Sequence, residues 1–314
     1  MKCQKTPKYN QYIIPLFLLT LSSNSNATSI SVSYGQQEYQ VSLQNETVNL
    51  TPVGNAVSFS TNITDNLNLN LNLNYQNWQD DRNHENRVNA EVELTTIGTS
   101  LSYYLDNWSF SSNYSQSTVD TKISGLRREI NFNNENIDSA SLGGSIGYGF
   151  IKGDWFYGIL VGGLYSDWDF NKYQIKDSNQ DHKQSKITSE KSSGNSSIIS
   201  TSLSTAYYLP FSNEKGLMLG GLLTWNYLIS GDSVLISRNG KNVNTRPISR
   251  DTSRITNSNS ASLNAISGDD NYGQFALYAS YDLGPSWSLD IDASINIASD
   301  YDAYAWSVSL GYIF

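Results

Sequence analysis

The side chains best suited to proton transfer are the two histidines, since imidazole titrates near neutral pH. Acidic residues stand close to both His84 and His182: Asp80, Asp81, Glu85 and Asp181. Neighbouring side chains of an extended segment point in opposite directions, however, and no serine stands beside either histidine to act as a nucleophile. We therefore interpret these groups as solvated loop charges, and we predict that the protein is not an enzyme.

Metal and cofactor sites are also poorly supported. Acidic pairs at Asp269-Asp270 and Asp300/Asp302 offer oxygen ligands for a divalent cation, but their spacing matches no defined binding loop. Cys3 is the only cysteine, which removes thiolate ligands and disulfides from a chain that loses its N-terminus. The glycine pairs at 143–144 and 162–163 lie within predicted strands rather than phosphate-binding loops. We predict no metal and no cofactor.

The N-terminus has the three parts of a secretory signal. Three lysines precede a ten-residue apolar stretch at 12–21, and small residues follow at Ser25-Asn26-Ala27. Ten apolar residues are too few for a membrane-spanning helix. We predict a cleaved signal peptide over 1–27 and a single β domain over 28–314, of which 28–54 has the weakest strand pattern.

The charge balance of the exported part argues against a nucleic-acid partner. The chain has 20 basic and 29 acidic residues, and removing the three lysines of the signal leaves 17 against 29, a net charge of −12. Phosphate binding needs basic surface. The mean hydropathy of −0.42 excludes insertion as a helical bundle, whereas a barrel strand needs only every second residue to be apolar.

Alternation with period two is the main structural signal. From Leu67 to Tyr75 the odd positions are apolar and the even positions are asparagine, which gives a strand with one oily and one wet face. Aromatic residues gather near strand ends, as in an interfacial girdle, and the polar face carries Ser, Asn and Gly rather than Lys and Glu. These two features favour a membrane barrel over a soluble sandwich. Further strands are predicted at 55–63, 88–105, 108–118, 141–150, 154–170, 196–209, 216–230, 270–283, 287–297 and 303–314, with the facing of 154–170 ambiguous.

Connection lengths alternate between short turns and long polar loops, the asymmetry of outer-membrane barrels. The long loops are predicted at 79–87, 119–138, 171–195 and 231–269, and counting back from Phe314 puts the short turns in the periplasm. One more strand within about 37–50 returns the N-terminus to the periplasm. The prediction is an all-β, antiparallel up-and-down barrel of twelve strands, with ten as the alternative.

The last strand, ending Gly311-Tyr312-Ile313-Phe314, resembles the C-terminal signature of Gram-negative outer-membrane barrels. The hairpins at 103–110 and 280–289 are similar to those of autotransporter β-domains, although only about 27 residues separate Ala27 from the first confident strand, too few for a large passenger. The resemblance implies a solitary autotransporter-type barrel whose Tyr312 and Phe314 are read by the barrel-assembly machinery. The histidines also resemble parts of omptin-type surface proteases, but their spacings do not reproduce that family's motifs.

Two carboxylates are predicted to line the lumen. Asp290 and Asp292 share the polar face of their strand and should stand opposite Ser280 and Tyr278. In a water-filled barrel they would favour cations. In a closed interior they would instead be hydrogen-bonded to neighbouring side chains, and the sequence leaves both alternatives open.

Several functions fit this pattern: a small passive pore, a scaffold that displays external loops, an adhesion or recognition protein, and an autotransporter-like translocator. A rim-located hydrolase is a remote alternative. The expected partners are outer-membrane lipid and lipopolysaccharide, the assembly machinery, and an extracellular ligand held by loops 171–195 and 231–269.

Overall fold

The computed structural model describes residues 28–37, 39–43, 46–80, 88–125, 132–176, 186–211, 215–231, 271–297 and 304–314. Within these segments no helix is long and apolar enough to cross a membrane. The described residues form fourteen strands: β1 Thr28–Gln37, β2 Tyr39–Leu43, β3 Glu46–Leu50, β4 Val53–Thr64, β5 Leu67–Asp80, β6 Val88–Leu105, β7 Trp108–Gly125, β8 Phe132–Lys152, β9 Trp155–Lys176, β10 Lys186–Pro210, β11 Gly216–Gly231, β12 Asn271–Asp282, β13 Trp287–Ile297 and β14 Tyr304–Ile313.

Twelve of these strands close into one antiparallel barrel, as predicted. Each strand from β4 to β14 pairs with its sequence neighbours, and β1 completes the circle between β14 and β4. The closing seam runs from Ser29↔Ile313 to Gln37↔Ala305, and the Phe314 N–H donates to the Thr28 carbonyl at 2.9 Å. Closure removes the unpaired strand edges that could not be solvated inside a lipid bilayer.

The predicted position of the first barrel strand was wrong. We expected it within 37–50, but the first barrel strand is β1, Thr28–Gln37, and residues 39–50 form the separate two-stranded hairpin β2–β3. The physical reason is visible in the sequence, because Ile30, Val32 and Tyr34 alternate with serines more regularly than any part of 39–50 does. Val32 and Tyr34 are exposed on the outer face, and Ser31 and Ser33 are buried on the inner face.

The strands are staggered around the barrel. A row of directly paired inward residues that starts on β10 at Tyr208 passes through every strand of the barrel and returns to β10 at Gly194, fourteen residues from its start. Such a stagger means that the strands tilt relative to the barrel axis, as closure of a twisted sheet requires. The row contains, in order, Tyr208, Met218, Ser280, Asp290, Ser309, Ser33, Ala56, Asn74, Thr96, Ser117, Ser139, Trp168 and Gly194.

The outer face carries an apolar band between two aromatic girdles. At the end with short turns, which we call the short-turn end, ring pairs include Trp108–Tyr148 at 5.0 Å and Trp287–Tyr312 at 4.7 Å between centroids. At the opposite, long-loop end, Tyr34 and Trp306 lie 6.0 Å apart. Exposed aliphatic residues fill the space between the girdles, including Ile97, Leu101, Ile146, Ile159, Val161, Leu203, Leu223, Leu277, Ile291 and Leu310.

The short turns agree with the prediction, and the ambiguous strand is resolved. Leu105 pairs with Trp108 across a two-residue turn in which Asp106 has a positive φ of 50°. The Leu283 N–H donates to the Trp287 carbonyl across the 284–286 turn. On β9, Ile159 is exposed on the outer face, whereas Leu160 is buried on the inner face.

Two of the predicted long loops are largely strand. Residues 119–138 were assigned to a loop, but β7 continues to Gly125 and β8 begins at Phe132; within 171–195, β9 continues to Lys176 and β10 begins at Lys186. Backbone pairing continues because a strand needs no apolar outer face once it has left the membrane. We call the parts of β6–β10 beyond the long-loop girdle the tall wall. Residues 81–87 and 232–269, from the other two predicted loops, lie outside the described residues.

Candidate functional site: the lumen wall

The inner face of the barrel is lined mainly by small hydroxyl side chains that hydrogen-bond across strands. The Oγ atom of Ser202 and the Oγ1 atom of Thr224 lie 2.9 Å apart, and the Ser309 hydroxyl donates to the Ser33 hydroxyl at 2.9 Å across the closing seam. Ser200 donates to Oδ1 of Asn226 at 2.6 Å. Serine and threonine therefore serve two purposes here: they tie adjacent strands together and give the lumen a polar surface.

A ladder of amides runs along the inner face of β5. Asn68 is well satisfied, because its Nδ2 donates to Ser60 at 3.0 Å and to Asn62 at 2.9 Å. Further along β5, both amide atoms of Asn70 and Oε1 of Gln76 are buried without a protein hydrogen-bond partner. On β1, both amide atoms of Gln37 are also buried without such a partner. A buried amide without a partner costs free energy unless water or a solute bonds to it.

Asp290 and Asp292 face the lumen and stand opposite Ser280 and Tyr278, as the sequence predicted. Asp290 is only 2% exposed, and its Oδ1 accepts a hydrogen bond from Ser280 at 2.6 Å. Asp292 is less buried and accepts a bond from Ser307 at 3.3 Å. Both carboxylates are thus held against the wall by hydroxyl groups and add negative charge to one side of the lumen.

Several large inward side chains lie flat against the wall because glycine stands beside them. A Cβ at Gly216 would collide with the Tyr208 ring, and one at Gly220 would collide with the Tyr278 ring. Glycine in a strand lacks the side chain that would otherwise occupy this space. The rings therefore cover neighbouring backbone rather than extending across the lumen.

The chain has the same fold as the barrel domains of two autotransporters. The translocator domain of autotransporter NalP from Neisseria meningitidis superposes with a TM-score of 0.60 at 12% identity, over 93% of this chain and 90% of that one. The β domain of the Bordetella autotransporter BrkA gives a TM-score of 0.58 at 8% identity, over 91% and 99%. No protein-family model and no curated protein matches the sequence.

The chain is an outer-membrane β-barrel. The apolar band and its two girdles are the surface that lipid covers, and in outer-membrane barrels short turns of this kind are typical of the periplasmic side. The barrel resembles autotransporter translocator domains in architecture; at this identity the likeness establishes the fold alone.

Inside the tall wall of the barrel, the lumen face changes from polar to apolar. Leu94 pairs with Val119, Val119 with Ile137 and Ile137 with Phe170, which makes a continuous apolar row across four strands. Leu94 is 1% exposed. Trp168 lies on the same face one step below Phe170, with its ring over Gly194. We call these five side chains, Leu94, Val119, Ile137, Trp168 and Phe170, the inner apolar patch.

The outer face of the tall wall is acidic. Asp138 and Asp169 are direct register partners, and Asp167 lies two residues before Asp169 on the same face. These residues border an open groove of about 670 Å³. Thr118 donates to Asp138 at 2.8 Å and Tyr165 to Asp167 at 2.6 Å. Among the described residues, His, Cys, Asp and Glu side chains form no group of three that could hold a metal ion.

The remaining sequence-predicted positions are placed as follows. His84, His182 and the acidic pairs 269–270 and 300/302 lie outside the described residues, and only the backbone of Asp80 is described, at the end of β5. Tyr312 faces outward in the short-turn girdle, where its ring is 5.0 Å from that of Phe314. Their role as an assembly signal stays a prediction.

The inner apolar patch was missed at the sequence level, although a signal for it exists. Along β7 the apolar positions are even from Trp108 to Tyr114 and become odd at Val119. Such a change of phase within one strand indicates that the apolar face has switched sides. The pairs of glycine with Tyr208, Tyr278 and Trp168 could not have been found in this way, because they depend on register between strands.

Proposed function

We propose that the protein is a narrow hydrophilic pore for small solutes, with a preference for cations. The observation that carries this proposal is the composition of the lumen wall. A barrel of about eight strands has an interior that side chains fill. We infer that twelve strands lined by small residues, with the Tyr208 and Tyr278 rings flat against the wall, enclose a passage.

The chemistry of the wall suits hydrated solutes. Hydroxyl groups, the unpartnered amide atoms of Gln37 and Asn70, and Oε1 of Gln76 can replace part of the hydration shell of a passing ion or polar molecule. The described inward side chains between the two girdles include Asp290 and Asp292 and no Lys or Arg. Such a lining repels anions, so we expect cations to carry most of the current.

The test is single-channel conductance of the refolded full chain in a planar lipid bilayer, with a salt gradient to measure the reversal potential. We expect steady conductance steps and a reversal potential on the cation-selective side. The double variant Asp290→Asn/Asp292→Asn should keep its conductance and lose most of that selectivity.

A matched control is Asp65→Asn/Asp154→Asn, which removes two exposed carboxylates from the periplasmic turns rather than from the lumen wall. This control should leave the reversal potential unchanged. A barrel that is folded, as judged by heat-modifiable migration on gels, yet silent in the bilayer would overturn the pore.

A display scaffold is the second candidate, and the tall wall favours it. Strands β6–β10 rise beyond the long-loop girdle as a paired sheet, held on its outer face by bonds such as Asn136 Nδ2 to Asp120 Oδ1 at 2.7 Å. A stiff external sheet could present residues 177–185, which connect β9 to β10, to a ligand. Binding of whole cells to a surface, lost when 177–185 is replaced by a short Gly/Ser loop while the barrel still assembles, would support this function.

The translocator alternative is supported by the fold likeness to the NalP domain. It too predicts conductance, but with a wider passage that lets a polypeptide enter. The size at which soluble polyethylene glycols no longer enter the passage and block the current measures its width, and would separate the translocator from the narrow pore. We propose no catalytic role for any residue of the barrel.

A further inference from the structure

The tall wall ends in an open strand edge on β10. From Lys186 to Asn195 this strand pairs with β9 on one side, whereas its pairing with β11 on the other side begins only at Ser196. No described residue pairs with Lys186 to Asn195 on that second side. This is the longest unpaired edge of any barrel strand that the structure describes, and it lies beyond the lipid-covered band.

The backbone groups of alternate residues point toward this open side. Along an antiparallel strand, one residue directs its N–H and C=O to one neighbouring strand and the next residue directs them to the other. The Tyr208 N–H donates to the Asp154 carbonyl at 2.9 Å, on the β9 side. Because pairing of β10 with β9 has no register shift, even-numbered residues bond to β9. The N–H and C=O groups of Ser189, Lys191 and Ser193 therefore point toward the open side.

The open edge is accessible in the folded protein. The side chains of Ser189, Lys191, Ser193 and Asn195 are all exposed, so a partner can reach this side of the wall. Beyond the girdle the free backbone groups meet water rather than lipid, which removes the need to pair them within the barrel. An exposed edge strand of this kind is a template for pairing with another extended chain.

Acidic side chains stand beside the open edge. On β9, Asp169 is the register partner of Ser193 and Asp167 is the register partner of Asn195, and all four side chains are exposed on the outer face. They border the open groove of about 670 Å³, together with Asp138. A strand added at the edge would lie two strand spacings, about 10 Å, from β9. Because Ser193 and Asn195 are short, a lysine or arginine of that strand can reach across them to the carboxylates.

A second copy of the barrel in the same membrane fits this edge less well. Both copies have the same orientation across the bilayer, so their β10 strands can pair only in parallel, which is less stable per residue. Parallel pairing about a two-fold axis would also bring the two copies of Lys191 close together, and like charges on neighbouring strands are unfavourable. A separate peptide has neither constraint and can run antiparallel to β10.

We propose that the open edge of β10 binds an extended, basic peptide segment by strand addition. The peptide runs antiparallel to β10, its backbone bonds to Ser189, Lys191 and Ser193, and its basic side chains pair with Asp167 and Asp169. This interaction is independent of the proposed pore, because it involves no residue between the girdles. Peptide binding can fail while conductance persists, and a silent barrel can still bind the peptide.

The test measures binding of a rhodamine-labelled synthetic peptide, Arg-Thr-Arg-Thr-Glu-Thr-Thr, to the refolded full chain in nanodiscs of zwitterionic lipid. In the antiparallel alignment its two arginines stand opposite Asn195 and Ser193, and its glutamate stands opposite Lys191. We expect a saturable rise in fluorescence anisotropy that empty nanodiscs do not give.

Methyl groups on the peptide nitrogens separate strand addition from charge attraction. Methylating the second arginine and the glutamate removes the N–H groups that would bond to Ser193 and Lys191, so binding should weaken about tenfold. Methylating instead the two threonines that follow these residues keeps those N–H groups and the same charge. This control peptide should lose much less affinity.

Two variants of the barrel locate the peptide. Ser193→Pro removes one N–H on the open side and leaves the bonds to β9 in place, so binding should weaken about fivefold. Its control, Ser193→Ala, keeps the N–H and should bind as the wild type does. Asp169→Asn removes one carboxylate beside the edge, and binding should weaken about threefold at low salt. Asp65→Asn, in a short turn, is the matched control and should have no effect.

Two results would overturn the site. The first is an anisotropy no higher than with empty nanodiscs, which would mean that another part of the chain or a second copy occupies the edge. The second is equal binding by the two methylated peptides, which would mean that charge alone attracts the peptide. Should Ser193→Pro lose the heat-modifiable migration of a folded barrel, the methylated peptides still decide the question, because they are tested on the wild type.

Discussion

The indole ring of Trp168 lies across the backbone of Gly194, its register partner on the neighbouring strand β10. Trp168 comes from β9 and covers the place that a side chain at Gly194 would need. One glycine thus permits a tryptophan of the inner wall to lie flat. The same arrangement recurs at Tyr208 over Gly216, near the other end of β10.

Gly194→Ala should destabilise the barrel, because its Cβ would collide with the rigid Trp168 ring and force that ring away from the wall. We expect a loss of about 1–3 kcal/mol in the free energy of unfolding, typical of an overpacked site. Urea unfolding in lipid vesicles measures it. Gly163→Ala is the control, since the nearest atom to its Cβ would be the Ile198 carbonyl oxygen at 3.8 Å, and it should cost little. Equal losses for both variants would contradict the role of the tryptophan.

Asp169→Asn should stabilise the tall wall. Asp138 and Asp169 are directly opposite on the outer face, and like charges in this position are unfavourable. We expect a gain of about 0.5 kcal/mol at low ionic strength, shrinking as salt screens the repulsion. The measurement is the midpoint of urea unfolding at low and high salt. Asp154→Asn, in a short turn, should show neither effect; a gain for Asp169→Asn that does not depend on salt would argue against charge repulsion.

Leu203→Arg should strongly destabilise the membrane-inserted barrel. Leu203 is exposed on the outer face of β10 in the middle of the apolar band, where arginine costs about 2–4 kcal/mol. Asn195→Arg places the same charge on the same face of the same strand, beyond the band, and should cost close to nothing. Reversible unfolding from lipid vesicles compares the two. Similar costs at both positions would mean that the girdles do not mark the limits of the lipid.

Replacing Phe314 with alanine should impair assembly of the barrel in cells more than it lowers the stability of the refolded barrel. The side chain is 73% exposed and contacts the Tyr312 ring, so its loss from a folded barrel costs little packing. If the assembly machinery reads this residue, the Phe314→Ala variant should reach the outer-membrane fraction in reduced amount. Phe211→Ala changes another exposed phenylalanine near the same end and is the control. Normal assembly of Phe314→Ala would remove the predicted signal.

The fold was largely predictable because the lipid imposes a simple rule on every strand. Where one face meets lipid and the other meets a polar lumen, the apolar residues must alternate, and Leu67 to Tyr75 does so without exception. The facing of Asp290 and Asp292 followed from the same rule and is as expected. Strand β1 obeys it too, with Ile30, Val32 and Tyr34 alternating with serines, although the first strand was predicted within 37–50.

The sequence by itself determined the barrel class, the short turns and the face of most membrane-spanning residues, because these depend on local alternation and on what lipid tolerates. The choice of twelve strands over ten, the position of the first strand and the facing of 154–170 were decided by the closed barrel. Only the tertiary structure decided how far β6–β10 continue beyond the membrane, since pairing there rests on backbone hydrogen bonds that leave no apolar pattern outside. It alone placed Leu94, Val119, Ile137 and Phe170 in one row and set Trp168 over Gly194. Those contacts depend on the register between strands, and register is a property of the closed barrel as a whole.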